Sequence, residues 1–127
     1  MERTVLVVDD DRHIVEVLAQ ALEFEGYAVR KAYDGMGALQ EAALAPPDLV
    51  LSDVAMPRLN GIALAQRLRA RGVPVVLLSA AVADPMLAGV PFVPKPFDLD
   101  HLLGLVTDVL DHPGLDGGGG RAAAASG

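Results

Sequence analysis

Residues 50–61 read VLSDVAMPRLNG, and this stretch decides the fold. The stretch begins within an apolar run, residues 49–51, which is followed by a serine and then by Asp53. The chain then turns through Met56-Pro57 and Asn60-Gly61. A short apolar run bounded by turn residues is typical of a strand buried on both faces of a parallel sheet. Asp53 is therefore predicted to stand where a buried strand ends.

The same pattern repeats on both sides of this stretch. Further strands are predicted at residues 4–8, 27–30, 75–78 and 92–93. Apolar residues at helical spacing follow the first three strands in the chain and the last one, so strands and helices alternate. This order predicts an α/β fold with an open, mostly parallel sheet and helices on both faces.

The interval between Ser79 and Pro91 departs from this alternation. It holds only eleven residues, and Asp84-Pro85 and Gly89 interrupt it. A mean helix has about 11–12 residues, and two turns must also fit here. The fourth helix of the alternation is therefore predicted to be short, distorted or absent.

Length and composition limit the possible classes of protein. The chain has 127 residues, of which 52% are hydrophobic, and this predicts one domain with a hydrophobic core. We place this domain at residues 1–113 and a flexible Gly/Ala-rich tail or linker at 114–127. A net charge of −7 argues against direct nucleic-acid binding by the domain. No cysteine is present, and no apolar run reaches the length of a membrane span, so we expect a cytoplasmic protein without membrane contact.

Polar side chains follow four of the predicted strands. The first strand is followed by Asp9 and Asp10, the third by Asp53, the fourth by Ser79 and the last by Lys95. In a parallel sheet these strand ends share one edge, where ligands bind. Because converging carboxylates repel, and because carboxylate oxygens suit Mg²⁺, the pattern predicts a magnesium site. With the lysine and the hydroxyl, it also predicts a site for a phosphoryl group, and one aspartate as its acceptor.

Each of these residues also has a structural interpretation. Residues 9–11, an acidic run, could cap the first helix, and Asp53 could be an ordinary turn residue. Ser79 and Lys95 taken singly could be a small strand-end residue and a surface charge. Their joint position at the ends of different strands favours the functional interpretation.

Five motifs follow one another along the chain: VLVVDDD at 5–11, AYDGMGAL at 32–39, PDLVLSDVAMPRLNG at 47–61, VVLLSA at 75–80 and KPF at 95–97. Taken together and in this order, they resemble the receiver domain of the response regulators of two-component signalling. The resemblance covers about residues 3–111. It implies a flavodoxin-like receiver fold, a five-stranded parallel sheet in the order 2-1-3-4-5.

The resemblance also implies roles for residues of the site. Asp53 would accept the phosphoryl group, and Asp9 and Asp10 would hold Mg²⁺ with Asp53 and the backbone carbonyl of Ala55. The domain would catalyse only its own phosphorylation and dephosphorylation, and would not be an enzyme in the ordinary sense.

Further roles follow from the same resemblance. Ser79 and Lys95 would contact the phosphoryl oxygens, and Ser79 with Phe92 would form a conformational switch. The phosphoryl donor would be a phosphohistidine on a sensor histidine kinase or a histidine phosphotransfer protein. An output domain or protein would follow residue 113 or bind the switched state.

Two alternatives stay open on the sequence. The chain could be a receiver-like docking module that phosphorylation does not regulate. Alternatively, Asp9 and Asp11 also form a D-x-D motif after an apolar strand, as in small Mg²⁺-dependent phosphatases in which the first aspartate is the nucleophile.

Overall fold

The computed structural model describes residues 2–80 and 89–111 of the chain. Strands and helices alternate along it. The strands are β1 (Thr4–Val8), β2 (Ala28–Ala32), β3 (Leu49–Asp53), β4 (Val75–Ser79) and β5 (Phe92–Pro94). The helices are α1 (Arg12–Phe24), α2 (Gly35–Leu44), α3 (Gly61–Arg69) and α4 (Leu99–Asp111).

The five strands form one parallel sheet in the order β2-β1-β3-β4-β5. The predicted fold class and strand order are therefore confirmed, and β5 lies at one edge of the sheet. The second strand is displaced from its predicted position, residues 27–30, because its pairing with β1 runs from Ala28 to Ala32. No helix within the described ranges is long and apolar enough to cross a membrane.

Alternate residues of the strands face two separate cores. Along β1, Val5 and Val7 pack with α1 and α4, whereas Leu6 and Val8 pack with α2 and α3. This follows from the two-residue period of a strand, which sends successive side chains to opposite faces. Because both faces are covered, the central strands are apolar up to their carboxyl ends, where Ser52, Asp53 and Ser79 lie.

The helix ends agree with the turn chemistry of the sequence. The carboxylate of Asp11 accepts hydrogen bonds from the backbone N–H groups of His13 and Ile14, so Asp11 caps α1. At the other end of this helix, Gly26 has a φ of 101°, a left-handed conformation that favours glycine.

Two predictions fall largely on parts of the chain that the structure does not describe. The short or absent fourth helix concerns the interval between Ser79 and Pro91, and residues 81–88 lie outside the described residues. The predicted tail at 114–127 also lies outside them.

Candidate functional site

Three central strands bring the candidate residues to the carboxyl edge of the sheet. Asp53 is the last residue of β3, Ser79 is the last residue of β4, and Asp9 directly follows β1. The register pairs Asp53 with Leu78 and Ser79 with Pro94, next to Lys95. The sheet thus brings together side chains that are far apart in the sequence.

Asp53 is held rigidly at the end of its strand. It is only 6% exposed, and the N–H of the next residue, Val54, donates to the Leu78 carbonyl at 2.9 Å. The ammonium of Lys95 lies 3.0 Å from the Asp53 Oδ1. The carboxylate is therefore part of the sheet and is ion-paired, which excludes the interpretation of Asp53 as an ordinary exposed turn residue.

Lys95 bridges two of the carboxylates. Its Nζ also lies 3.7 Å from the Asp9 Oδ2, and its backbone N–H donates to the Ser79 carbonyl at 2.8 Å. Partial burial acts to lower the pKa of Lys95, but the hydrogen bond and the attraction of Asp53, together with the charge of Asp9, outweigh it and raise the pKa. The site therefore keeps a permanent positive charge beside Asp53.

Asp9 carries the most deeply buried carboxylate of the site. It is 1% exposed, and its Oδ1 accepts the N–H of Asp11 at 2.9 Å. Its Oδ2 accepts no hydrogen bond from the described residues. Burial raises the pKa of Asp9, with the repulsion of Asp53 adding to it, although the hydrogen bond from Asp11 acts in the opposite direction.

The three carboxylates fit a divalent cation. One oxygen each of Asp9, Asp10 and Asp53 lie within 4.8 Å of one another. Set against these three negative charges, the Lys95 ammonium leaves a net charge of −2 in the cluster. The described residues donate no hydrogen bond to the Asp9 Oδ2, so this oxygen is available as a ligand atom, and hard oxygen ligands are those that Mg²⁺ prefers. The residues present therefore fit the ion.

In the part of the chain that the structure describes, two cavities connect the site to solvent. One, of about 470 Å³, lies against the three aspartates and Lys95 and also contacts apolar residues of α1 and of the segment after β5, namely Ile14, Pro96 and Phe97. The other, of about 320 Å³, is lined by Asp53, Ala55, Ser79 and Lys95 with their chain neighbours. A bound group thus has access to Asp53 from the side of Ser79.

The remaining predicted residues are less directly placed. Ser79 is buried and Ala55 is exposed, and both line the smaller cavity. Phe92 is partly buried, pairs with Leu77 in the sheet register and packs against the core under α2 and α3. It lines neither of the two cavities. Its role as a switch stays a prediction.

Two residues that support Asp53 were not predicted from the sequence. The hydroxyl of the buried Ser52 donates to the Asp53 carbonyl at 2.9 Å. Gly61, at the start of α3, faces the same peptide: a Cβ atom there would lie 2.9 Å from the Asp53 carbonyl carbon and closer still to its oxygen. Real Cβ atoms essentially never come so close to other atoms, so a larger residue at position 61 must displace the backbone. The Asn-Gly pair in the sequence signals a turn, but not this close approach.

Comparisons with known proteins agree with this geometry. The family model described as the response regulator receiver domain matches residues 5–107. The chain is 40% identical to the response regulator MprA of Mycolicibacterium vanbaalenii over 129 aligned residues, which cover 94% of this chain and 55% of that protein. It is 38% identical to the MprA of Mycobacterium ulcerans, covering 91% of this chain and 53% of that one. The chain thus spans about half the length of these curated relatives.

Solved structures show the same fold. A CheY-like response regulator receiver domain protein from Methanospirillum hungatei superimposes with a TM-score of 0.82 at 26% identity, covering 92% of this chain and all of that one. The chemotaxis protein CheY4 of Vibrio cholerae gives a TM-score of 0.79 at 28% identity, covering 86% of this chain and 99% of the other.

Proposed function

Because the chain belongs to the response regulator receiver family, a family of two-component signalling domains, we propose that it is a phosphoacceptor that receives a phosphoryl group on Asp53. The donor is a phosphohistidine of a sensor histidine kinase or of a histidine phosphotransfer protein. The observation that carries the proposal is the buried Asp53 carboxylate, ion-paired with Lys95 at 3.0 Å and within one oxygen cluster with Asp9 and Asp10.

In the proposed reaction, a carboxylate oxygen of Asp53 attacks the phosphorus in line with the phosphorus–nitrogen bond of the donor. That bond breaks, its electron pair stays on the imidazole nitrogen, and an acyl phosphate forms on Asp53. Lys95 stands 3.0 Å from the attacked carboxylate, so its ammonium can move onto the phosphoryl oxygens as charge develops there. Ser79 lines the same cavity and offers its hydroxyl to those oxygens.

Mg²⁺ would be held by Asp9, Asp10, Asp53 and the backbone carbonyl of Ala55, and would neutralise charge on the transferring group. Asp9 keeps one oxygen without a hydrogen bond from the described residues for this purpose. Asp11 takes no part, because its carboxylate caps α1. This capping role also counts against the phosphatase alternative, which requires Asp11 as its acid/base.

Phosphorylation adds roughly −1.5 to −2 charges at the edge of the sheet. We propose that the Ser79 hydroxyl moves toward these charges and that Phe92, on the neighbouring strand, moves with it. The added interactions favour one of two existing conformations. The switch would then act on an output domain or protein connected after residue 113, with residues 1–113 as the receiver and 114–127 as the linker. We place the protein in the cytoplasm, without direct nucleic-acid binding by this domain.

Acetyl phosphate, a small phosphoryl donor, tests the proposal. We expect the intact mass of the protein to increase by one phosphoryl group in the presence of Mg²⁺ and to stay unchanged with EDTA. Asp53→Asn should gain nothing under either condition, because an amide is not a nucleophile here. Stoichiometric phosphorylation of Asp53→Asn would overturn the assignment.

A further inference from the structure

The segment between the phosphoacceptor and α3, residues 54–60, is termed the phosphoacceptor loop. It contains Ala55, whose carbonyl is the proposed backbone ligand of Mg²⁺. Its neighbours Met56 and Leu59 are buried, with 8% and 9% exposure. The loop is therefore packed against the body of the domain, although Ala55 itself is exposed.

The loop rests directly on the first turn of α2. Gly35, the first residue of that helix, is buried. A Cβ atom at Gly35 would lie 2.8 Å from the Leu59 Cβ and closer to the Leu59 carbonyl oxygen. Real Cβ atoms essentially never approach other atoms so closely, so any larger residue at position 35 must displace the loop or the helix.

An ion pair joins the same two segments. The Oδ1 of Asp34 accepts the N–H of Gly37 at 2.6 Å and so caps α2, while its Oδ2 accepts a hydrogen bond from the Arg58 guanidinium at 3.2 Å. Arg58 lies in the phosphoacceptor loop with a φ of 65°, in the left-handed region that non-glycine residues rarely adopt. The Asp34 carboxylate therefore binds both the first turn of α2 and the side chain of Arg58, whose backbone conformation is unfavourable.

We propose that Asp34, Gly35 and Arg58, here called the α2 clamp, are positioning residues for the metal site. They hold the phosphoacceptor loop, and with it the Ala55 carbonyl, where Mg²⁺ binding requires it, although the clamp residues line neither of the two site cavities. The proposal rests on the proposed function, because it assumes that Ala55 is a ligand. It assigns a functional role to the turn between β2 and α2, which contains no residue of the phosphoacceptor site.

A role in positioning differs from a role in stability alone, and also from a long-range charge effect. Loss of packing without movement of the loop would lower the melting temperature and leave the affinity for Mg²⁺ unchanged. A simple charge effect would have opposite signs at the two ends of the ion pair: loss of Arg58 would strengthen binding of the cation, and loss of Asp34 would weaken it. Positioning requires both losses to weaken binding.

The first experiment compares Gly35→Ala with Gly104→Ala by isothermal titration with Mg²⁺. A Cβ added at Gly104, on the exposed face of α4, meets no atom of another described segment within 4 Å, so this position provides a matched control. We expect Gly35→Ala to raise the dissociation constant for Mg²⁺ about tenfold, as loss of supporting contacts around metal ligands typically does. Gly104→Ala should bind as the original protein does. A folded Gly35→Ala protein with unchanged Mg²⁺ affinity would overturn the proposal.

The second experiment uses the Asp34–Arg58 ion pair, whose side chains are 35% and 67% exposed. Arg58→Gln and Asp34→Asn should each weaken Mg²⁺ binding by about two- to fivefold, the range of an exposed ion pair. Asparagine keeps the capping oxygen, so helix α2 stays capped. The double variant should bind about as weakly as the weaker single variant, because both changes break one contact.

The outcomes separate this proposal from the proposed function. Opposite effects of Arg58→Gln and Asp34→Asn that cancel in the double variant would overturn positioning in favour of a charge effect. Failure of the original protein itself to bind Mg²⁺ would overturn the metal site of the proposed function, and the α2 clamp with it. Normal binding by the original protein and by all variants would overturn the clamp alone.

Discussion

The two ends of strand β3 carry the same residue type in opposite circumstances. Asp48 precedes the strand, is exposed, and its Oδ2 accepts the backbone N–H of Thr4 at 2.7 Å. Asp53 ends the strand, is buried, and shares its surroundings with two further carboxylates and Lys95. The residue type is the same at both ends of the strand. The different surroundings of the two carboxylates therefore depend on the edge of the sheet at which each one lies.

The ion pairs at the two edges show the same contrast. Arg3 and Asp111 lie 2.9 Å apart near the amino ends of the strands, with side chains 45% and 50% exposed. Lys95 and Asp53 lie 3.0 Å apart at the carboxyl edge, with side chains 27% and 8% exposed. The nitrogen–oxygen distances of the two ion pairs agree within a tenth of an ångström. The two pairs therefore differ in the burial of their side chains and in the surplus of negative charge around them. At the amino edge a salt bridge is a minor contribution to stability, whereas at the carboxyl edge it is part of the proposed phosphoacceptor site.

The largest expected effect distinguishes these two ion pairs. Lys95→Ala should lower the rate of phosphorylation by acetyl phosphate by roughly 10²-fold, because it removes a positive charge from the developing transition state. Arg3→Ala should leave that rate unchanged and lower the free energy of unfolding by less than about 1 kcal/mol. Stopped reactions analysed by intact mass, together with chemical denaturation, measure both quantities. Equal rates for the two variants would remove the distinction between the two edges.

The next largest effect concerns the backbone behind Asp53. Gly61→Ala should lower the free energy of unfolding by about 1–3 kcal/mol, because its Cβ meets the Asp53 peptide. Gly104→Ala should raise the same free energy by about 0.5–1 kcal/mol, since alanine is the better helix former in open space. Denaturant unfolding at neutral pH measures both. An unchanged free energy of unfolding for Gly61→Ala would show that the carboxyl edge of the sheet is not rigid.

The smallest effect on the free energy of unfolding concerns the burial of Asp9. Burial raises the pKa of Asp9 in the folded protein. The stability linked to the protonated Asp9 carboxyl is therefore fully present when the pH lies below the pKa of Asp9 in the unfolded chain, and it is lost as the pH rises through the pKa of Asp9 in the folded protein. At neutral pH the ionised Asp9 therefore costs stability in the metal-free protein. Asp9→Asn should raise the free energy of unfolding by about 1 kcal/mol at pH 7 and abolish Mg²⁺ binding.

Asp48→Asn is the control for this change, since asparagine still accepts the Thr4 N–H. We expect no gain in stability and unchanged Mg²⁺ binding for this variant. If the increase in the free energy of unfolding caused by Asp9→Asn does not shrink as the pH falls, the stability cost does not come from the charge of Asp9.

The sequence predicts most of this architecture because the relevant signals are local. Apolar strands, a capping aspartate such as Asp11, and strand-end carboxylates are visible in short windows of sequence. The convergence of Asp9, Asp10 and Asp53 follows from one further rule, that parallel strands share a carboxyl edge. The family resemblance supplied the strand order.

The parts that the sequence did not predict depend on contacts between distant segments. Nothing near Gly35 in the sequence indicates that Leu59 lies against it, and nothing near Ser52 indicates which carbonyl its hydroxyl would reach. The boundary of β2 was also displaced, because pairing with β1 rather than local composition decides where it begins. Such contacts form only when the chain folds and brings distant segments together.

The most direct test of the central claim locates the phosphoryl group. The protein is treated with acetyl phosphate and Mg²⁺, the acyl phosphate is reduced with borohydride, and tandem mass spectrometry of the peptides identifies the reduced residue. We predict modification at Asp53 alone, with Asp48 unmodified at the other end of the same strand. Modification at Asp9, Asp10 or Asp48, with Asp53 intact, would contradict the account.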